Sequence, residues 1–310
     1  MNIHYKTLNT NYQEWLSTLG YSEATVYGHP KRLDHFFRWQ IKRNKNNIST
    51  LTREDVKNYF QYLETRPHQR RKGLVGVAHI NQTAFAIDKF LEFLHQTGMK
   101  NAPSPLNYRL KVDETERLEK ITLLTQNQIK TLRENIENTH TDWFTYAQRQ
   151  AKHYQLKLVF ALYYGCGLRR SEGYKLQLKD INLNKGEIFV RQGKNYKDRI
   201  VPMSENVYRD VEDYIYNFRS HFKSGHYYHR TLGNRLFVNT SGCLLKSLYQ
   251  LQKVANVLPN QPITFHSLRH SIATHLLQNG MEMENIKLFL GHSSLETTQL
   301  YTHIVNQNKV

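Results

Sequence analysis

The chain has 310 residues, 39% of them hydrophobic, with 14 Phe, 20 Tyr and 3 Trp, which suits about two packed domains and argues against global disorder. Lys and Arg number 43 against 26 Asp and Glu, a formal charge of +17, and an excess of that size points to a polyanionic partner, nucleic acid before a membrane surface. Cys166 and Cys243 form no C-x-x-C pair, no apolar stretch approaches the roughly 20 residues of a membrane span, and the opening MNIHYKTLNTNYQEW lacks the apolar segment of a secretory signal, so a reducing, cytoplasmic setting without disulfides is expected.

The first hundred residues carry helical spacing. Tyr12, Trp15, Leu16 and Leu19 fall at i, i+3, i+4 and i+7, and Gly20 closes that element. Ser22 is placed to cap a second helix with Val26, Leu33, Phe36 and Phe37 on its buried side, kinked or split at Pro30. Thr52 and Asp55 form a capping-box pattern before Val56, Tyr59, Phe60 and Leu63. Ile80, Ala84, Ile87, Leu91 and Leu94 line a fourth helix, ended by Gly98. Two basic runs, Lys42–Arg43–Lys45 and Arg66–Arg70–Arg71–Lys72, lie between them. Such runs are solvated faces or contacts to a phosphate backbone.

Residues 101–120, with Pro103 and Pro105 and no apolar period, read as an extended linker. Thr125 and Gln128 then form a second capping-box pattern. Helical patterns cover about 126–138 and 142–164, and short strands are predicted at 187–190, 199–201 and 235–238, the first two flanking a turn around Gly193, Lys194 and Asn195. Helices return from about 244. The predicted class is mainly α with a small antiparallel sheet in the C-terminal domain. The stretch 218–235 is basic and aromatic, with no role assigned from sequence.

Four local patterns could carry chemistry. In GCGLRRSEGYKL two glycines precede Arg169, and Glu172 follows three residues later; this is either an anion site at a helix start or a surface ion pair. In RQGKNYKDRIVP, Lys194 sits at a hairpin tip, free to reach a neighbouring site or only solvent. In FHSLRHSIATH, His266 and Arg269 share a helix face, which suits proton handling and binding at a phosphate. His266 and His270 also have the i, i+4 spacing of zinc ligands, but Ser267 stands where H-E-x-x-H needs glutamate and no carboxylate or thiol cluster adds ligands, so no metal is expected. His270 and His275 are expected to be packing or surface residues. In LGHSSLETTQLYTH, His292 follows Gly291 at what reads as a helix start, and Tyr301, nine positions on, is either core or an exposed nucleophile.

The order of these patterns is more specific than any one of them. GLRRSE, GKNYKDRIVP, FHSLRHSIATHLL, LGHSS and TTQLYTH together resemble the tyrosine recombinase (phage integrase) family, with Xer-like recombinases and mobile-element integrases nearest in size and layout. The resemblance implies a two-domain DNA clamp: a helical, SAM-like core-binding domain over 1–100, a linker over 101–120 and a catalytic domain over 121–310. It implies a site of Arg169, Lys194, His266, Arg269, His292 and Tyr301, with Glu172 orienting Arg169. Tyr301 would be the nucleophile that forms a 3′-phosphotyrosyl bond, the arginines and His292 would bind the scissile phosphate, His266 would be the base and Lys194 the acid. It further implies double-stranded DNA with specific recombination sites as partner, a homotetramer on a four-way (Holliday) junction, accessory bending or excision factors, and no metal, ATP or other cofactor. Only THIVNQNKV follows Tyr301, whereas Xer-like proteins carry a longer C-terminal helix, and Arg170 stands where the family usually has an apolar residue. The rivals are a type IB-like topoisomerase or telomere resolvase with the same chemistry, and a DNA-binding module with a decayed site.

Overall fold

The computed structural model describes residues 3–68, 72–112, 121–139, 145–191, 198–222, 233–292, 298–299 and 301–302. The chain divides into two units, Met1–Glu114 and Thr115–Val310, each with its own buried core.

The first unit is built from α1 (Ile3–Thr18), α2 (Glu23–Ile41), α3 (Arg53–Thr65) and α4 (Val77–Gln96). Ser22 caps α2 by accepting from the Thr25 amide, and Thr52 and Asp55 complete a reciprocal capping box on α3. The predicted apolar faces meet in one aromatic-rich core, where Phe37 and Phe90 lie edge to face at 5.4 Å and Phe36 meets Tyr59 at 4.9 Å. Two expectations change. Pro30 does not split α2, which runs through it as a single helix of 19 residues; Pro30 is itself buried, as are Val26, Leu33, Phe36 and Phe37 of the same helix, and that burial offsets the local penalty. Leu19 is exposed, because α1 has ended at Thr18 and the register no longer carries its side chain inward.

The segment that reads as a linker is, in its described part, laid along this helical unit. Ala102 is buried in the core, and Leu106, Tyr108 and Leu110 pack against it. Asn81 on α4 exchanges two hydrogen bonds with the backbone of Leu110, donating to its carbonyl and accepting from its amide, both at 2.8 Å. Asp88 accepts from the Leu106 amide at 2.9 Å and pairs with Arg109 at 3.1 Å. Side chains some 20 to 30 residues away thus satisfy a backbone that has no periodic pairing of its own.

The second unit begins with α5 (Gln126–Glu134), capped by the predicted Thr125–Gln128 box. Helix α6 (Tyr146–Phe160) continues as one wide π-helical turn over Ala161–Gly165, and the short α7 (Arg170–Lys175) follows. Next comes a three-stranded antiparallel sheet, β1 (Ile181–Asn182), β2 (Glu187–Val190) and β3 (Arg199–Pro202), in the order β1-β2-β3 with Ile188 opposite Val201. Among the described residues α8 (Glu205–Asp213), α9 (Ser241–Val254), α10 (Phe265–Gln278) and α11 (Met283–Leu290) follow, and residues 298–299 and 301–302, Tyr301 among them, are again helical. The architecture is mainly helical with one small antiparallel sheet, as predicted.

Residues 235–238 are not a strand. They make one bridge, Gln177 to Arg235, and one bond from the Leu236 amide to the Leu176 carbonyl. Leu236, Phe237 and Val238 are all buried, as in a core strand, but the carbonyls of Arg235 and Leu236 are taken by a guanidinium and not by a neighbouring strand. Buried Arg219, from the basic stretch of unassigned role, ties down the same segment by donating to the carbonyls of Gly233, Arg235 and Leu236. No helix among the described residues is long and apolar enough to cross a membrane.

Candidate active site

The site forms where the turn before α7, the start of β3, the first half of α10 and the end of α11 meet. Gly167 opens it. Its φ is +57°, and a Cβ there would stand 2.9 Å from Leu290 Cδ2 and Phe289 Cε1, so glycine alone fits without displacing α11. The Gly167 carbonyl accepts from Arg269 Nη1, and two residues later Arg169 occupies the N-cap of α7.

Glu172, in the first turn of α7, is the hub. Its carboxylate accepts from the Arg169 amide at 2.8 Å and from Arg169 Nη1 at 2.6 Å. It also accepts from Arg199 Nη1 at 3.0 Å and Nη2 at 2.9 Å, and Arg269 Nη1 stands 4.0 Å away. Burial alone would raise the Glu172 pKa, but the Arg199 fork and the Arg169 contacts outweigh it and hold the acid at about 2. The predicted Glu172–Arg169 contact is therefore present, within a wider cluster of guanidiniums. Burial pulls the Arg269 pKa down to about 10, helped by Arg169 and opposed by Glu172, so Arg269 keeps its charge at neutral pH.

Both arginines reach the C-terminal end of α11. Arg169 Nη2 donates to the Gly291 carbonyl at 2.5 Å, and Arg269 Nη2 donates to the Leu290 carbonyl at 2.8 Å. Gly291 caps that helix in the left-handed region with φ of +66°, and the His292 amide bonds back to the Lys287 carbonyl at 3.0 Å. His292 thus lies just past the end of α11, and residues 293–297, where the helix start was expected, lie outside the described residues. The Leu-Gly-His sequence is the terminating motif of α11.

His292 Nδ1 pairs with Thr298 Oγ1 at 2.9 Å, and its ring stacks at 11° on that of Tyr301, 6.3 Å between centroids. Tyr301 is 1% exposed and packs with Ala273, Ile286 and Leu290. Burial raises its pKa, while Arg269 and Arg169 act to lower it. Its hydroxyl lies 3.0 Å from His270 Nδ1. His266 is in the first turn of α10 and reaches the surface, with its ring 6.2 Å from that of His270. Partial burial, then the charges of Arg269, Arg170 and Arg169, push its pKa below the usual histidine range, which favours the neutral, proton-accepting form.

Arg169, Arg269, His292 and Tyr301 are therefore brought together, with His266 beside them on α10. Lys194 lies outside the described residues. Two members of the cluster were missed from sequence. His270 follows Arg269 in the same motif and its spacing suggested packing or metal; Arg199 lies in the RQGKNYKDRIVP stretch, where only Lys194 was singled out. Among the described residues no group of three or more His, Cys, Asp or Glu side chains is placed to hold a metal ion.

A helical two-unit chain that gathers guanidiniums on one carboxylate, with imidazoles and a tyrosine hydroxyl beside them, has the architecture and residue set of a tyrosine recombinase. The Phage integrase family model matches residues 122–308. Tyrosine recombinase XerD of Halalkalibacterium halodurans is 30% identical over 313 residues, which cover 96% of this chain and 94% of that protein. The chain belongs to the phage integrase family and is a tyrosine recombinase. Two solved structures bear out the fold. XerH site-specific recombinase bound to its difH substrate has a TM-score of 0.63 at 17% identity, over 92% of this chain and 78% of that one. The Tn1549 transposon integrase in complex with circular intermediate DNA has a TM-score of 0.63 at 19% identity, over 97% and 98%.

Proposed function

We propose that this recombinase cuts and rejoins duplex DNA at specific sites through a 3′-phosphotyrosyl bond on Tyr301, using neither metal nor ATP. Tyr301 Oη attacks the scissile phosphorus, the bond from phosphorus to O5′ breaks, and a free 5′-hydroxyl leaves. Arg169 and Arg269 stabilise the charge that grows on the non-bridging oxygens, and His292 hydrogen-bonds the same phosphate. His266, held neutral by its surroundings, takes the tyrosine proton, and Lys194 gives one to O5′. The covalent bond conserves the phosphodiester energy, so the 5′-hydroxyl of a partner strand can reverse the step. Two such rounds exchange strands through a Holliday junction in a homotetramer on the DNA.

One observation carries the reading: Arg169, Arg269, His292 and Tyr301, spread from residue 169 to residue 301, come to one place, two guanidiniums clasping the α11 terminus from which His292 extends over the tyrosine ring. The +17 charge suits a DNA partner, and two-site strand exchange separates the reading from a topoisomerase or resolvase. Supercoiled plasmids carrying one or two copies of the cognate site test this. The proposal requires four-way junctions and recombinants from the two-site plasmid only. Efficient relaxation of the one-site plasmid with no junction from either would favour a topoisomerase instead.

A further inference from the structure

Arg199 is the first residue of β3 and has no part in the chemistry above. Its side chain is only 13% exposed, and its fork grips both oxygens of Glu172, Nη1 to Oε1 at 3.0 Å and Nη2 to Oε2 at 2.9 Å. It also lies against the turn that delivers His292: a Cβ on Gly291 would stand 2.9 Å from Arg199 Cδ, Nε and Nη1. The carbonyl of the same glycine accepts from Arg169 Nη2 at 2.5 Å. Gly291 is thus held by two arginines, and both are fastened to the one carboxylate of Glu172. The remaining nitrogen of Arg199, Nε, is buried without a hydrogen-bond partner. A guanidinium that leaves a buried donor unsatisfied while making two bonds to Glu172 is placed to suit the site around it, not its own solvation. Lysine would bring the charge but not the planar fork that spans two carboxylate oxygens while lying flat on a glycine.

We propose that Arg199 is a positioning residue for strand cleavage. It locks Glu172 and the Gly291–His292 turn into one geometry, so that Arg169 and His292 meet the scissile phosphate already arranged and without reorganising. This inference rests on the recombinase reading above.

The test uses the full-length chain as wild type, R199K, R199M, H292Q and the doubles R199M/H292Q and R199K/H292Q, on nicked duplex containing the cognate site. DNA dissociation constant, thermal midpoint and single-turnover rate of covalent complex formation at saturating protein are measured for each. The expected result is an unchanged dissociation constant, a retained folding transition and a rate about tenfold lower or more for R199K and R199M alike. In the H292Q background the Arg199 substitution should cost severalfold less than in wild type, because the share of its effect that runs through the His292 imidazole is already gone while the share through Glu172 and Arg169 remains. Should R199M fail to fold, R199K and its double give the same comparison. Equal losses in both backgrounds, or rescue by R199K, would overturn the inference, as would wild-type rates in both single variants. Failure of the wild type to form any covalent complex would instead remove the recombinase reading itself.

Discussion

Glu172 shows how much of this site depends on one side chain. Four hydrogen bonds from Arg169 and Arg199 converge on its two oxygens, and the carboxylate is almost fully buried. Removing the charge with Glu172→Gln leaves guanidiniums facing an amide, and breaking a buried pair in this way should cost about 3 to 5 kcal/mol in urea unfolding at neutral pH. The pH dependence follows from the same contacts. The folded-state pKa is depressed from 4.5 to about 2, so the stabilisation is complete above the ordinary value and is lost as pH falls from there toward 2. Wild type should show that acid limb and Glu172→Gln should lack it; parallel stability curves for the two would contradict the account. His266 supplies a kinetic counterpart. Its lowered pKa predicts that cleavage rises with pH along a limb centred below 6.5, and His266→Gln should slow covalent complex formation by about a hundredfold or more. A pH–rate profile unaltered by the substitution would take the proton elsewhere, with His270, 3.0 Å from the Tyr301 hydroxyl, next in line. Arg169, Arg269, His292 and Tyr301, which the fold brings together, each lie in a short local pattern that sequence alone can flag. His270 and Arg199 could not be given roles, because their partners Tyr301 and Glu172 are 31 and 27 residues away and nothing local signals either pairing.

At the scale of elements, the caps and the hairpin were legible and the special backbone was not. The boxes at Thr52 and Thr125 set their helix starts as read, since side chain and partner are three residues apart. The run 235–238 has strand composition, but the Arg219 guanidinium takes two of its carbonyls, and the left-handed φ of Gly291 ends α11 just before His292. In both cases residues far along the chain decide the outcome. The same holds for 101–112, whose prolines and missing period look like a linker until Asn81 and Asp88 are seen to satisfy its amides. Asp88→Ala should therefore cost the first unit about 1 to 3 kcal/mol. Amide exchange of residues 104–112 should accelerate, while α10 and α11 keep their protection. Unchanged exchange in that segment would mean it is held by its apolar contacts alone.

For the whole molecule, a charge of +17 suits the DNA partner proposed above and would put its binding under electrostatic control. Cognate-site affinity should fall by about a hundredfold or more between roughly 50 and 200 mM salt if many phosphates are contacted; a flat dependence would separate the charge from DNA binding. The decisive measurement is direct. Nicked duplex carrying the cognate site, labelled at either end, is incubated with wild type and Tyr301→Phe in EDTA and run on a denaturing gel. The account predicts protein covalently joined to the 3′ end of the cut strand with wild type, and none with Tyr301→Phe. Attachment that persists in Tyr301→Phe, or none with wild type on its own site, would return Tyr301 to the core packing in which the structure holds it.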